Sequence, residues 1–288
     1  LDQADSLREL VCKRESAGPP LRIIAVTSGK GGVGKTHLTC NLAVLAARAG
    51  RKVLVFDADL GLANADIVLG VEPHYHLGHL LDGSASLDDI LAEGPEGVRI
   101  LAAATGVQEL TRLDDAQKLR LVTALDAIED RFDLVLLDCG AGIGDNVLFF
   151  AGAAQEALLV ISPEPTSLTD AYATVKVLSQ QAGVEHFSVV VNAVPTEAHG
   201  REVFGKLARV TERFLTARVG FLGHLPRDEN LQRALMAQRP VVQLFPRSPV
   251  SRGFQDLARS LLERRAPASL QGGLKFLWER VQRENATA

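Results

Sequence analysis

Short apolar runs alternate along this chain with longer stretches in which apolar residues recur every three or four positions. The runs lie near 22–28, 52–57, 98–103, 133–138, 157–162, 188–192 and 218–222. Brief runs with little polar alternation suit strands covered on both faces. Helical spacing marks 35–49, 116–130, 144–153, 167–181, 201–215, 229–237 and 250–263. The alternation predicts an α/β fold, a mostly parallel sheet with helices on both faces. Ser86 and Asp89 form a helix-start pair ahead of Ile90 and Leu91. The polar, partly helical lead ends in Gly18-Pro19-Pro20, which reads as a linker, and the composition changes again after Ala266-Pro267. Three parts are therefore expected: a lead over 1–20, a main domain over 21–265, and a tail over 266–288 with a short helix near 270–282. No internal repeat or low-complexity segment interrupts the chain.

The first apolar run ends in the glycine-rich string Gly29-Lys30-Gly31-Gly32-Val33-Gly34-Lys35-Thr36, and a helical pattern starts at Lys35. Gly29, Gly34, Lys35 and Thr36 have the phosphate-loop spacing G-x-x-x-x-G-K-[ST]. Glycines let backbone N–H groups turn onto phosphate oxygens, and a helix start adds its positive dipole end. Lys35 is expected to reach the β- and γ-phosphates and the Thr36 hydroxyl to bind Mg²⁺. His37, next along the helix start, joins the nucleotide-binding set with Lys30, Gly31, Gly32 and Val33.

Acids close two further strands. Val53-Leu54-Val55-Phe56 runs into Asp57-Ala58-Asp59, and Leu134-Val135-Leu136-Leu137 runs into Asp138. The carboxyl ends of strands face the crevice where open α/β sheets bind ligands. The second pattern is a Walker B strand, whose Asp138 holds Mg²⁺, through water because that ion dehydrates reluctantly.

The string Lys30-Gly-Gly-Val-Gly-Lys35-Thr36 resembles the deviant Walker A motif of the MinD/ParA ATPases. In that family the extra lysine, here Lys30, reaches across a dimer interface to the partner's nucleotide. The resemblance implies a catalytic set of Lys30, Lys35 and Asp59 and an ATP-dependent homodimer. The run Asp57-Ala-Asp59-Leu-Gly61-Leu-Ala-Asn64 matches the A′ segment of the MinD branch. By that match Asp59 orients the attacking water and Asp57 supports the Mg²⁺ region. Gly140-Ala141-Gly142-Ile143 is similar to the family's γ-phosphate-sensing loop. Asn192, Pro226 and Asp228 fall at adenine-side positions.

Further strings resemble the flagellar-number regulators of the MinD branch, the FlhG or FleN subfamily. These are Gly61–Asn64 with Asp66, Leu77–Leu81, Gly94–Val98 and Thr105–Leu110. The lead carries Asp2-Gln3-Ala4-Asp5-Ser6-Leu7-Arg8, similar to the subfamily's D-Q-A-x-x-L-R motif. There the motif stimulates FlhF, a signal-recognition-type GTPase, and Asp2, Gln3, Leu7 and Arg8 become partner-binding candidates with Gln3 at the partner's active site. Other partners implied by the resemblance are flagellar switch-ring proteins and a FleQ-type transcription activator. In the tail, Leu270, Leu274, Leu277, Trp278 and Val281 can share one helical face, while Phe276 sits off a clean two-faced pattern. Leu274, Phe276, Leu277, Trp278 and Val281 are thus candidates for contact with an anionic membrane surface, with Lys275, Arg280 and Arg283 beside them. The same residues could instead dock on the domain.

Composition trims the alternatives. The 288 residues are 47% hydrophobic, with a net charge of −4 that argues against a protein coating nucleic acid, and no direct nucleic-acid partner is expected. No stretch approaches the roughly 18–20 apolar residues of a membrane span, and no signal-peptide pattern is visible. Cys12, Cys40 and Cys139 lack zinc spacing and suit a reducing compartment. The expected location is cytoplasmic, peripheral on the inner face of the cell membrane when ATP is bound. His74, His76 and His79 resemble a metal set, but no carboxylate or Cys completes it, and a loop leading into a helix is preferred. A division-site MinD, a ParA-type partition ATPase, and a nucleotide-gated adaptor or antiactivator remain the rival readings.

Overall fold

The structure is a computed structural model that describes residues 21–103, 113–126, 128 and 130–264. The Asp2–Arg8 motif, Cys12, the Thr105–Leu110 string and the helix near 270–282, with Leu274, Phe276, Leu277, Trp278 and Val281, lie outside the described residues.

Eight strands form one sheet: β1 (Arg22–Ser28), β2 (Val53–Ala58), β3 (Leu91–Glu93), β4 (Arg99–Leu101), β5 (Leu134–Ala141), β6 (Glu156–Ile161), β7 (His186–Val191) and β8 (Arg218–His224). Their order is β3-β4-β2-β5-β1-β6-β7-β8, and every pairing is parallel except β3 with β4. The helices are α1 (Lys35–Arg48), α2 (Ala65–Leu69), α3 (Leu77–Asp82), α4 (Leu87–Ile90), α5 (Asp115–Asp126), α6 (Asp145–Ala153), α7 (Pro165–Gln181), α8 (Glu197–Phe214), α9 (Glu229–Met236), α10 (Val241–Leu244) and α11 (Pro249–Glu263). All seven expected strands and all seven expected long helices are present. Their ends shift by at most four residues, because caps rather than periodicity decide them: Thr196, for example, starts α8 by accepting from the His199 N–H.

Alternate residues of the central strands feed two cores. Ile23 and Ala25 join the layer under α6, α7 and α8, whereas Ile24 and Val26 join the layer under α1 and α11. Burial on both sides is why these strands are continuously apolar. Helix α11 shows the complementary logic. Ser248 caps it, Pro249 fits its first turn, and Val250, Phe254, Leu257 and Leu261 form the stripe it buries.

One charged contact ties the start of β1 to the end of α11. Arg22 donates through Nε and Nη2 to the Glu156 carboxylate, and through Nη1 to the carbonyls of Leu261 (2.6 Å) and Arg264 (3.4 Å). The guanidinium thereby satisfies carbonyls that a helix end leaves without partners, while its charge is matched by a carboxylate that is itself buried.

A candidate nucleotide site at the ends of β1, β2 and β5

The sheet order brings three loops to one edge. β1, β5 and β2 are consecutive neighbours, so the glycine-rich loop, Asp138 and the Asp57–Asp59 turn emerge side by side at the strands' carboxyl ends. A cavity of about 770 Å³ opens there, lined among others by Gly31, Gly32, Gly34, Lys35, Thr36, His37, Asp59 and Gly140. This size suits a nucleotide.

The loop is built to hold an anion. Gly32 and Gly34 adopt φ of 75° and 98°, values that a side chain strains. Helix α1 begins at Gly34 with no side-chain cap and no acid in its first turn, so its N-terminal N–H groups are left for a ligand. Gly29 is needed for another reason: a Cβ there would lie 2.6 Å from the Ala171 nitrogen and collide with the Asp170 carbonyl group of α7. Backbone cannot rotate aside. Gly29→Ala should therefore push the loop off α7, lowering stability by about 1–3 kcal/mol and weakening nucleotide binding. Thermal unfolding with and without nucleotide checks both effects.

Asp57 and Asp138 are paired across β2 and β5, and each is only 1% exposed. Burial raises both carboxyl pKa values. For Asp57 the Asp138 charge adds to the rise, against N–H donors from Ala65, Asn64 and Asp59. For Asp138 hydrogen bonds from Thr36 and Thr39 and the Lys35 charge pull the other way. Two buried acids beside one lysine, all oxygen donors with the Thr36 hydroxyl, match the needs of a hard divalent cation such as Mg²⁺. Thr36 and Asp138 would hold it, with Asp57 behind them. Since the Asp57 carboxyl is raised from 3.8 to about 8, the folded protein without metal binds more protons than the unfolded chain across that interval. Its stability should fall as pH rises through it and level off above. Asp57→Asn should flatten that slope, which unfolding curves from pH 5 to 9 in a chelator will read.

Asp59 lines the cavity, and its Oδ1 lies 3.4 Å from where a Gly140 Cβ would sit, so the A′ turn packs against the backbone after β5. The Gly142 N–H donates to the Ser28 carbonyl (2.9 Å), and the Ser28 hydroxyl donates to the Lys30 carbonyl (2.7 Å), linking this loop to the glycine-rich one. Lys30 itself turns to the surface and pairs with Glu164 at 2.5 Å.

The adenine-side candidates are placed differently. Asn192 reaches the glycine-rich loop, donating to the Val33 carbonyl (2.8 Å) and accepting from the Ala193 N–H (2.8 Å). Asp228 caps α9 through the Asn230 N–H and also accepts from the Val250 N–H. Neither these two nor Pro226 is among the residues lining the cavity. Sequence reasoning did not find Thr39, which braces Asp138, or the Leu62, Ile67, Asn146 and Leu235 side of the cavity. Cys40 and Cys139 are buried, with thiol pKa values pushed up by desolvation, and behave as small apolar groups. Among the described residues no cluster of three His, Cys, Asp or Glu side chains could hold a metal, and no helix is long and apolar enough to cross a membrane.

Comparison with known proteins agrees with this geometry. The CobQ/CobB/MinD/ParA nucleotide binding domain family matches residues 24–241. The chain is 44% identical to the antiactivator FleN of Pseudomonas aeruginosa over 93% of its own length and 96% of that protein. It is 30% identical to the flagellum site-determining protein YlxH of Helicobacter pylori, covering 90% of this chain and 89% of that one. Among solved structures, the septum site-determining protein MinD of Pyrococcus horikoshii, complexed with Mg-ADP, superposes with a TM-score of 0.70 at 30% identity, covering 84% of this chain and 96% of that one.

Proposed function

This chain belongs to the CobQ/CobB/MinD/ParA nucleotide-binding family and is similar to the FleN and YlxH proteins, and we propose that it is a MinD-type ATPase controlling the number and placement of flagella. The observation that carries the reading is the meeting of Gly29–Thr36, Asp57, Asp59 and Asp138 at one sheet edge in a chain 44% identical to FleN.

The reaction is transfer of the γ-phosphoryl group of ATP to water. Backbone N–H groups of the glycine-rich loop and the Lys35 ammonium cradle the phosphates and oppose the charge that builds during transfer. Thr36 and Asp138 would hold Mg²⁺, which when bound would add to the neutralisation of phosphate charge. Asp59 accepts a hydrogen bond from the attacking water and orients it. Lys30 leaves Glu164 and completes the site of a second copy, so that ATP becomes part of a homodimer interface. The two lysines, Asp59 and the glycine-rich loop form the catalytic and nucleotide-binding set; Asn192, Pro226 and Asp228 serve the adenine side, Asn192 after release from Val33.

Within this reading, residues 2–8 stimulate FlhF, with Gln3 at that partner's active site. Residues 274–281 bring the ATP-bound dimer to an anionic membrane from the cytoplasmic side, two weak anchors gaining from being joined. Switch-ring proteins and a FleQ-type activator are the other expected partners. The test is GTP hydrolysis by the same organism's FlhF with a peptide of residues 1–20 and with its Gln3→Ala form, alongside flagellar counts in cells carrying Lys30→Ala or Lys35→Ala. Stimulation lost in the Gln3 form, and altered counts in both lysine variants, are expected. Normal counts in both variants would overturn the flagellar role.

A further inference from the structure

Helix α3 starts in an unusual way. His76 stands at its N-cap, and its Nδ1 accepts from the Gly78 N–H at 3.1 Å. Three residues on, His79 reaches back, and its Nδ1 accepts from the His76 N–H at 3.2 Å. This is the reciprocal arrangement of a capping box, made by two imidazoles instead of a hydroxyl and a carboxylate. An imidazole nitrogen accepts only while it carries no proton, so both rings must be neutral with hydrogen on Nε2. The ring centroids are 3.9 Å apart, and Tyr75 packs edge-on against His79 at 5.3 Å. A proton on either Nδ1 would replace the acceptor with a second donor facing the backbone N–H, and charge on both rings would set two cations side by side at a 47° tilt.

The surroundings add to this. Burial first, and the neighbouring His79 second, lower the His76 pKa, opposed by Asp82 on the same helix. Asp82 is itself engaged by Ser84, whose N–H donates to it at 2.8 Å. From α5, Arg120 donates to the Leu81 carbonyl and brings a positive charge to the other end of α3. On α4, Asp88 is paired with Arg131 and Asp89 is bound by Ser86. Glu72 and the exposed His74 precede the cap in the loop. Among the described residues no carboxylate makes a hydrogen bond or ion pair with the His76 or His79 ring.

The helix also has something to hold up. Leu77 and Leu81, its buried residues, belong to the same apolar cluster as Leu60 and Ala63, which follow Asp59 in the A′ segment. The Leu77 N–H donates to the Ala102 carbonyl, joining the helix start to the end of β4.

We propose that α3 is a pH-sensitive latch: its two imidazole caps hold it in the apolar cluster it shares with Leu60 and Ala63 of the A′ segment only while their accepting Nδ1 atoms carry no proton. Because the folded state lowers the His76 pKa below 6.5, the helix is secured above that pH and loosens as pH falls beneath it. The inference does not depend on the proposed ATPase reading, because its readouts need no nucleotide.

Long-range proton–nitrogen spectra of the histidine rings, and amide hydrogen exchange over residues 60–64 and 76–82, test it at about pH 7.5 and about pH 5.5, on either side of the ordinary histidine value. Both rings should show the Nε2–H tautomer at the higher pH. Protection at Gly78 and its neighbours, corrected for intrinsic exchange, should fall about tenfold or more at the lower pH, with a smaller fall over 60–64. In the double variant His76→Asn/His79→Gln, which keeps good capping residues without a titrating ring, protection should persist at both values. Hydrogen on Nδ1 of either ring at the higher pH, or protection in the parent protein that ignores pH, would overturn the proposal without any variant. So would an equal loss of protection in a folded double variant.

Discussion

Asp59→Ala should still bind ATP and form the proposed dimer but lose turnover by roughly 10²–10⁴-fold, the scale set by removing a group that acts on the attacking nucleophile. The expectation rests on where Asp59 stands. It lines the cavity against Gly140, whereas Asp57, two residues earlier, is buried and held by three backbone N–H groups. The first is free to meet substrate; the second is engaged with the fold. Deleting the Asp59 carboxylate leaves Lys35, Thr36 and Asp138 in place, so affinity should change little while kcat collapses. Single-turnover hydrolysis and nucleotide titration of the same variant separate the two quantities. Undiminished turnover would remove Asp59 from the chemistry.

The second large effect is on stability. Arg22→Ala strips from Glu156, whose side chain is 7% exposed, its ionic partner among the described residues, and frees the Leu261 and Arg264 carbonyls. An uncompensated buried charge typically costs about 3–5 kcal/mol. The double variant Arg22→Ala/Glu156→Gln should recover a large part of the loss, because the charge left behind is gone. Denaturant unfolding of the single and double variants measures the coupling. A loss below about 1 kcal/mol in the single variant would class the pair with ordinary surface bridges.

Much of this was legible in the chain. Gly29, Gly34, Lys35 and Thr36 sit at fixed spacing after an apolar run, and Asp57 and Asp138 each close such a run, so local pattern alone placed them at strand ends. The strands read clearly because burial on both faces removes polar alternation. Short elements were harder. β3, α2, α3, α4 and α10 span three to six residues, too few to display a period, and depend on caps and neighbours. Long-range partnerships were invisible for a different reason. Arg22 with Glu156, Lys30 with Glu164 and Asn192 with Val33 are joined by topology across well over a hundred residues, and no local spacing encodes them. Asn192 is placed in the same way: one N–H of its amide braces the glycine-rich loop at the Val33 carbonyl.

The Arg22 clamp has a mechanical corollary. It fastens the place where residues 1–20 join the domain to the place where residues 265–288 leave it, at the beginning of β1. The glycine-rich loop lies beyond the other end of that strand, about 20 Å away at strand rise. Residues 1–20 and 265–288 thus attach to the domain at one point, on the far rim of the sheet from the nucleotide cavity. Twenty residues can reach at most about 70 Å when drawn straight. In the proposed membrane-bound state, a surface holding the tail would keep Gln3 within the combined span of the two segments from the grip. An encounter with a second molecule bound to the same surface becomes a search over a patch of area instead of through a volume of solvent.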